Sequence, residues 1–453
     1  MGKNQSQGIY DARKELGGGQ VAILGLQHMF AMFGATVLVP IITGLNVSAT
    51  LLFAGLATLF MHLVTKFKVP VFLGSSFAFL GGYAAVKAIG VEAGYSDQVA
   101  LNYACIGVAC AGLLYLVLSL ICKIFGSTNV MKFFPPVVTG PIIIVIGLNL
   151  APSAINNCIT NWWIALVAIV VVIICNIFGK GMIKIIPILL GVVASYIAAA
   201  VTGNVDFTAV KEAAWLGLPV IWGNTGLSVF ANGDTDWGLI ITSIITIVPI
   251  AFATMMEHVG DISAIGGTVG KNFIKDPGLH RTLIGDGVGT AIAALFGAPA
   301  NTTYGENTGV LALTKVYDPF VVRLAACYAI LLSFCPKFAA VIEVMPAATI
   351  GGVSLILYGM ISAIGIRNMV ENHTNFQNTR NVIVAALILS LGIGIGYSTA
   401  GAIAFTIGQV NVSLTGLAVA SIVGIVVNAI LPGKDYTFAE EPNEELASSL
   451  GKY

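Results

Sequence analysis

Four carboxylic acids lie within or beside apolar stretches of this sequence, namely Glu257, Asp261, Asp286 and Glu306. A charged side chain is costly in such surroundings unless it faces a cavity, a partner or a ligand. Glu257 and Asp261 are four residues apart, and this spacing places both on one face of a helix. Two carboxylates this close and partly removed from water cannot comfortably both be charged, so they are candidates for proton coupling.

Each acid also has a plainer interpretation. Asp261 could lie in cytoplasmic water at the end of its helix. Glu257 and Glu306 could form interhelical hydrogen bonds without binding a ligand. Asp286 lies between two glycines. It fits a helix end as well as a supporting position behind a site.

The histidines are equally open to two interpretations. A histidine beside a carboxylate can relay protons, but membrane histidines also serve as hydrogen-bond partners between helices. We expect a structural role for His28, whereas for His258, which follows Glu257 directly, both roles stay open. His62 is expected to face a neighbouring helix.

Glu306 belongs to a polar, glycine-punctuated stretch, residues 301–309, between apolar segments. A spanning helix cannot simply open its backbone into lipid, because unpaired N–H and C=O groups there are costly. We therefore predict a broken segment whose freed backbone lines a site. Residues 75–79 have a similar mixture of hydroxyl, aromatic and small side chains.

Residues 75–79 and 302–305 are predicted to be extended and to pair antiparallel in the middle of the membrane. Helical halves beginning near Leu80 and Asn307 would then point their positive dipole ends at one place. Such a site offers backbone donors and acceptors, the rings of Phe77 and Tyr304, and two carboxyl groups. This inventory suits a small, flat, neutral heterocycle better than an inorganic anion, which the carboxylates would repel.

The composition indicates whether these residues lie in water or in a membrane. Hydrophobic residues make up 57% of the 453 and charged residues 9%, and the mean hydropathy is +0.93. Globular chains carry roughly 25% charged residues, so the sequence predicts an integral membrane protein. The net charge of zero argues against a nucleic-acid partner, and the seven cysteines lack metal-site or disulfide spacing. Residues 1–20 are polar and show no signal-peptide pattern.

About fourteen apolar segments are near the length that a span requires. They lie near residues 21–43, 47–65, 70–90, 97–122, 131–151, 161–179, 182–203, 236–258, 282–298, 300–314, 320–343, 346–366, 379–399 and 404–431. With a cytoplasmic N-terminus, this arrangement leaves only Lys87, Lys211 and Lys337 of the 21 basic residues outside. The bias predicts that both termini are cytoplasmic and the protein is multi-pass in the cytoplasmic membrane.

Three pairs of similar short sequences suggest an internal repeat. They pair Gln27-His28 with Glu257-His258, residues 75–78 with 302–305, and Pro135 with Pro346. Each pair falls in corresponding segments of two halves with seven segments each. An odd number of spans gives the halves opposite orientations, and an inverted repeat with broken helices at matching positions is typical of a secondary transporter.

Several stretches resemble the nucleobase–ascorbate (nucleobase:cation symporter-2) transporter family, and within it the bacterial uracil permeases. These are residues 26–36 (LQHMFAMFGAT), 73–79 (LGSSFAF), 257–260 (EHVG), 276–281 (DPGLHR) and 301–309 with the following Leu313-Thr314-Lys315. The similarity runs from about residue 20 to about residue 431. Glu at position 306, rather than Gln or Pro, resembles the uracil branch of the family.

The resemblance implies a role for individual residues. Glu257 resembles the carboxylate that hydrogen-bonds the pyrimidine, and Glu306 the second acid, which contacts the ring and is linked to the proton. Phe77 and Gly305 resemble backbone contributors from the two strands, and Tyr304 a pocket-lining aromatic. Asp261 stands where such permeases carry a histidine implicated in proton coupling. Proton coupling is therefore expected among Glu306, Asp261 and His258.

The resemblance also implies an all-α polytopic fold with a 7+7 inverted repeat, two short strands in broken segments 3 and 10, and a homodimer. Its expected divisions are an N-terminal tail (1–20), a core domain (21–125 and 206–345), a gate domain (126–205 and 346–431) and a C-terminal tail (432–453).

The sequence thus predicts proton-coupled uracil uptake by alternating access, without a cofactor or metal. A xanthine or broader nucleobase symporter is the nearest alternative, and an anion exchanger or channel on the same architecture is another. A membrane enzyme is disfavoured because the sequence offers no nucleophile–base pair, metal motif or phosphate loop.

Overall fold

A computed structural model of the chain describes residues 8–231, 233, 235–407 and 410–436. In chain order the first ten helices, α1 to α10, span Ala12–Glu15, Gly18–Thr43, Val47–Val64, Leu80–Glu92, Asp97–Phe125, Ser127–Met131, Pro136–Ile159, Trp162–Phe178, Met182–Ile185 and Pro187–Val201. The next ten, α11 to α20, span Thr208–Glu212, Trp237–Ile247, Ala251–Val269, Leu279–Leu295, Gly305–Thr314, Pro319–Ser333, Pro336–Glu343, Ala347–Glu371, Thr379–Gly396 and Gly416–Ile430.

Four strands and several short turns complete the described chain. The strands β1 to β4 are Leu73–Ser75, Asn301–Thr303, Ala402–Ile407 and Val410–Thr415. Short 3₁₀ turns lie at Trp222–Asn224, Gly226–Phe230 and Val248–Ile250, and a π-helical turn at Ile274–Gly278. The predicted C-terminal tail, residues 432–453, lies outside the described residues after 436.

Long apolar helices make this a multi-pass membrane protein. Within the described residues, seven helical stretches are long and apolar enough to cross a membrane: α2, α3, α5, α7, α12 with α13, α18 and α19. A bent pair, α16 with α17, meets at 88° and would make an eighth. Three further apolar helices, α8, α10 and α20, are shorter. By this measure the predicted number of about fourteen segments is not reached.

Polar side chains mark where several of these helices begin. Asn46 accepts a hydrogen bond from the backbone N–H of Ala49 at the start of α3, and Asp236 does the same for Leu239 at the start of α12. Such caps satisfy backbone donors that the first helical turn leaves without a partner. They place the helix ends that the apolar pattern alone located only approximately.

The helices pack in two groups. α14 packs against α3 and α5, and α16 packs against α2 and α3. Elsewhere α7 lies along α18 and α19, α19 along α20, and α8 along α10 and α18. α13 contacts members of both groups, since it touches α5, α14 and α15 as well as α7 and α20.

The last predicted segment, residues 404–431, differs from the structure. β3 and β4 form an antiparallel hairpin that pairs Ala402 with Thr415 and Ile407 with Val410, and α20 begins only at Gly416. Alternating apolar and polar residues, as in Val412-Ser413-Leu414-Thr415, follow the period of a strand rather than of a helix. Hydrophobicity averaged over a long window conceals this alternation.

Candidate functional site

Two short strands from distant parts of the chain, β1 and β2, meet in the interior of the protein. This strand pair is called the strand crossing below. β1 and β2 pair antiparallel, with Leu73 opposite Thr303, Gly74 opposite Thr302 and Ser75 opposite Asn301. Their six residues are all buried. Hydrogen bonds from Tyr304 N to Phe72 O (3.1 Å) and from Ser76 N to Ala300 O (2.8 Å) extend the pairing at both ends. The strands thereby satisfy each other's backbone groups where no helix can do so.

A helix begins after each strand. α4 begins at Leu80, as predicted, and α15 begins at Gly305, two residues before the predicted position. No side chain caps either helix start. The N-terminal N–H groups and the positive dipole ends of both helices are therefore directed to the region beside the strand pair. Gly305 is exposed there, so its backbone is open to a ligand.

The acids of α13 and α15 face this region together. Glu257, Asp261 and Glu306 are each half-buried. Asp261, Asp286 and Glu306 all lie near enough to Glu257 to act on it electrostatically. Asp261 is eight residues from the end of α13, and its Oδ2 accepts a hydrogen bond of 2.5 Å from Thr303 Oγ1 on β2. Asp261 therefore belongs to the strand crossing and not to the exposed helix end that was its plainer interpretation.

His258 faces away from this group of acids. Its Nδ1 lies 2.8 Å from Oδ2 of Asp286 on α14, and both side chains are 0% exposed. The ring of Tyr115 meets the imidazole edge-on, with centroids 6.4 Å apart. Successive helical residues are turned by about 100°, so Glu257 and His258 serve different faces of α13. The structure thus places His258 behind the site, with Asp286.

Asn307 ties the start of α15 to the first long helix. Its Nδ2 donates to the backbone oxygen of His28 at 3.0 Å and lies 3.1 Å from His28 Nδ1. Such a bond is what a structural histidine would make. The Nε2 atom of His62 lies 2.8 Å from the backbone oxygen of Val71, ahead of β1. No sequence pattern indicated the side-chain contacts of Asn307 and Thr303, although both residues lie in the polar stretch that contains Glu306.

The two candidate aromatic residues lie on the strand crossing. Tyr304 is 4% exposed, and its hydroxyl donates to the Ser75 backbone oxygen at 3.0 Å, so it braces the strands. Phe77 is 7% exposed and meets the ring of Tyr358 on α18 edge-on, with centroids 5.7 Å apart. Nothing in the sequence distinguishes Tyr358 from other aromatics of apolar helices.

A cavity of about 1020 Å³ opens beside Phe77. α4 forms one side, α7 and α19 form the other, and the β3–β4 hairpin contributes to its lining. Polar lining groups include Asn149, Ser153 and Glu92. Neither Glu257 nor Glu306 is among its lining residues. The cavity therefore reaches the strand crossing from the side of Phe77, and the acids lie beyond it.

Comparison with known sequences covers almost the whole chain. A sequence profile of the permease family matches residues 19–401. The chain is 40% identical to a uracil permease of Bacillus caldolyticus over 444 residues, covering 95% of this chain and 97% of the relative. It is 38% identical to a uracil permease of Bacillus subtilis, with coverages of 90% and 91%, and 37% identical to one of Escherichia coli, with coverages of 90% and 90%.

Two solved structures share the fold. The transmembrane domain of a cyanobacterium bicarbonate transporter, BicA, matches with a TM-score of 0.58 at 14% identity, covering 94% of this chain and 100% of the other. SLC26A9 matches with a TM-score of 0.61 at 11% identity, covering 91% of this chain and 64% of the other. At these identities the likeness concerns the fold alone.

Proposed function

Because the chain belongs to the nucleobase–ascorbate transporter family, we propose that it carries uracil across the membrane together with protons, by alternating access. The observation that carries the proposal is the crossing of β1 and β2 with three acids gathered beside it. Partly buried carboxylates are costly in a membrane unless they face a cavity, a partner or a ligand, and an irregular backbone lies at membrane depth only where protein or a cavity surrounds it.

The proposed uracil site uses groups that the strand crossing brings together. The carboxylate of Glu257 accepts a ring N–H, and the backbone N–H groups near Gly305 and Phe77 meet the carbonyl edges. Glu306 contacts the ring from the first turn of α15. Tyr304 supports this arrangement from within the strand pair. A planar molecule with both N–H and C=O edges complements these donors and acceptors.

Proton coupling follows from the crowding of acids. Like charges close together and partly desolvated favour a state in which one group holds a proton. We assign this proton to Glu306, with Asp261 as the group that exchanges it, since Thr303 holds Asp261 at the end of β2 that leads into Glu306. His258 stays a member of the coupling group through Asp286, its 2.8 Å neighbour.

The finer architecture is part of the proposal. Fourteen segments would form a 7+7 inverted repeat, with β1 and β2 in segments 3 and 10. The packing of α14 on α3 and α5 supports a core domain, and that of α7 on α18 and α19 supports a gate domain. Both termini would be cytoplasmic and two copies would associate in the lipid bilayer.

Binding of radiolabelled uracil to the purified protein, at several pH values and against competing nucleobases, tests the proposal. We expect uracil to displace the label more effectively than xanthine, and a proton gradient to drive uptake in proteoliposomes. Stronger competition by xanthine would favour a xanthine or broader nucleobase symporter. Bicarbonate or chloride flux unaffected by nucleobases would instead favour an anion exchanger. This alternative is tested because BicA, a bicarbonate transporter, has the same fold.

A further inference from the structure

The chain ahead of α2 crosses the C-terminal end of α15. Ile9 pairs with Val316 as a parallel bridge: Ile9 N donates to Lys315 O at 2.8 Å, and Tyr317 N donates to Ile9 O at 2.7 Å. Ala12 N donates to Oδ2 of Asp318 at 2.9 Å. Residues 8–12, here called the clasp, are therefore fixed to the connection between α15 and α16.

The same segment holds the C-terminal end of α13 through Tyr10. The Tyr10 hydroxyl donates a 2.6 Å hydrogen bond to the backbone oxygen of Val269, the last residue of α13. Its ring packs on Tyr317 with centroids 5.4 Å apart, and the Lys271 ammonium lies 4.4 Å from its centroid. One side chain thus links the end of α13 to the segment that follows α15.

These two helices carry the proposed uracil and proton groups. Val269 lies twelve residues after Glu257, about 18 Å along a helix. Lys315 lies nine residues after Glu306, about 13 Å. Lys315, which directly follows the last residue of α15, has a φ of 56°, a left-handed conformation that a residue other than glycine rarely adopts. Contacts from outside the helix, such as that of Ile9, stabilise such an end.

We propose that the clasp is a positioning element for uracil binding: it fixes Glu257 and Glu306 relative to each other by joining the C-terminal ends of α13 and α15. The inference rests on the proposed function. The clasp contacts described above all lie at the end of α13 or in the connection between α15 and α16, and α13 and α15 carry the acids. Loosening the clasp should therefore weaken substrate binding and leave the rate of translocation largely unchanged.

Two variants loosen the clasp in different ways. Tyr10→Phe removes only the hydroxyl that reaches Val269. Gly8→Ala leaves every hydrogen-bonding group in place, but its new Cβ would run into the ring of Tyr317 and displace the segment. Tyr196→Phe is the matched control, because the Tyr196 hydroxyl also donates to a backbone oxygen, that of Val341 at 2.9 Å, away from the strand crossing.

Uracil uptake kinetics in proteoliposomes, the uracil Kd and the thermal midpoint are measured for each protein. We expect KM and Kd to rise about fivefold in both clasp variants, at the lower end of typical coupling between sites, with Vmax within about twofold of wild type. Tyr196→Phe should keep the wild-type KM.

The possible results separate the two proposals. Wild-type protein that takes up no uracil overturns the proposed function and this inference with it. Wild-type uptake with an unchanged KM in both clasp variants overturns the clasp alone, whether or not the thermal midpoint falls, because a merely structural role lowers stability without altering affinity. A lower Vmax at unchanged KM likewise overturns it.

Discussion

Gly74 on β1 and Tyr304 after β2 touch so closely that no larger residue fits at position 74. A Cβ added to Gly74 would lie 2.5 Å from Cε2 of Tyr304 and 2.8 Å from Oγ1 of Thr36. The tyrosine ring is held beside β1 because its hydroxyl donates to the Ser75 backbone oxygen. The strand crossing therefore depends on the absence of one methyl group.

Gly74→Ala should separate the strands or displace Tyr304, at a cost of about 1–3 kcal/mol in stability, as for other overpacked interiors. The thermal midpoint of the purified protein should fall, and its uracil Kd should rise. Gly359→Ala is the control, since an added Cβ there meets no atom within 4 Å and alanine favours a helix interior. Equal thermal midpoints for the two variants would contradict the packing argument.

Glu257→Gln should weaken uracil binding by about 1–3 kcal/mol, because a neutral amide oxygen is a weaker acceptor than a carboxylate and one of the two acceptor oxygens becomes a donor. Equilibrium binding to the purified protein measures this change. Glu343→Gln, at an exposed position of α17 away from the crossing, should bind like wild type. Near-wild-type affinity of Glu257→Gln would remove Glu257 from the site.

Glu306→Gln should damage proton-driven uptake more than the exchange of uracil across the membrane at equal pH. An amide can still contact the ring but cannot release a proton, so only the coupled reaction loses its driving force. Both activities are measured in the same proteoliposomes, with and without a pH gradient. An equal loss of uptake and exchange would count against Glu306 as the proton carrier.

Thr303→Val should remove the side-chain hydrogen bond between β2 and α13 while preserving the branched shape of the side chain. The variant loses the 2.5 Å bond to Asp261, and leaving a buried hydrogen-bonding group without its partner costs about 1–3 kcal/mol. We expect a lower thermal midpoint and slower uptake. Thr303→Ser keeps the hydroxyl, so its thermal midpoint and uptake rate should stay close to those of wild type. Similar defects in the two variants would argue that the methyl group of Thr303, and not its hydroxyl, supports the site.

The sequence alone predicted two broken segments and the acids beside them, although β1 at Leu73–Ser75 overlaps the predicted extended stretch 75–79 only at Ser75. The polar stretch that contains Glu306 predicted a helix interruption, because lipid tolerates neither an open backbone nor an unpartnered carboxylate. Spacing on a single helix also placed Glu257 and Asp261 on one face. The motifs likewise identified the family, which the comparisons confirm. These features depend on local chemistry, so they can be read from neighbouring residues.

Only the tertiary structure decided which distant groups meet. The register that pairs Leu73 with Thr303, the 2.8 Å contact of His258 with Asp286, and the crossing of the N-terminal segment over α13 and α15 each join residues far apart in the chain. In so apolar a sequence, many alternative pairings bury similar surface. The choice among them depends on the packing of all the helices together, which local sequence patterns do not specify.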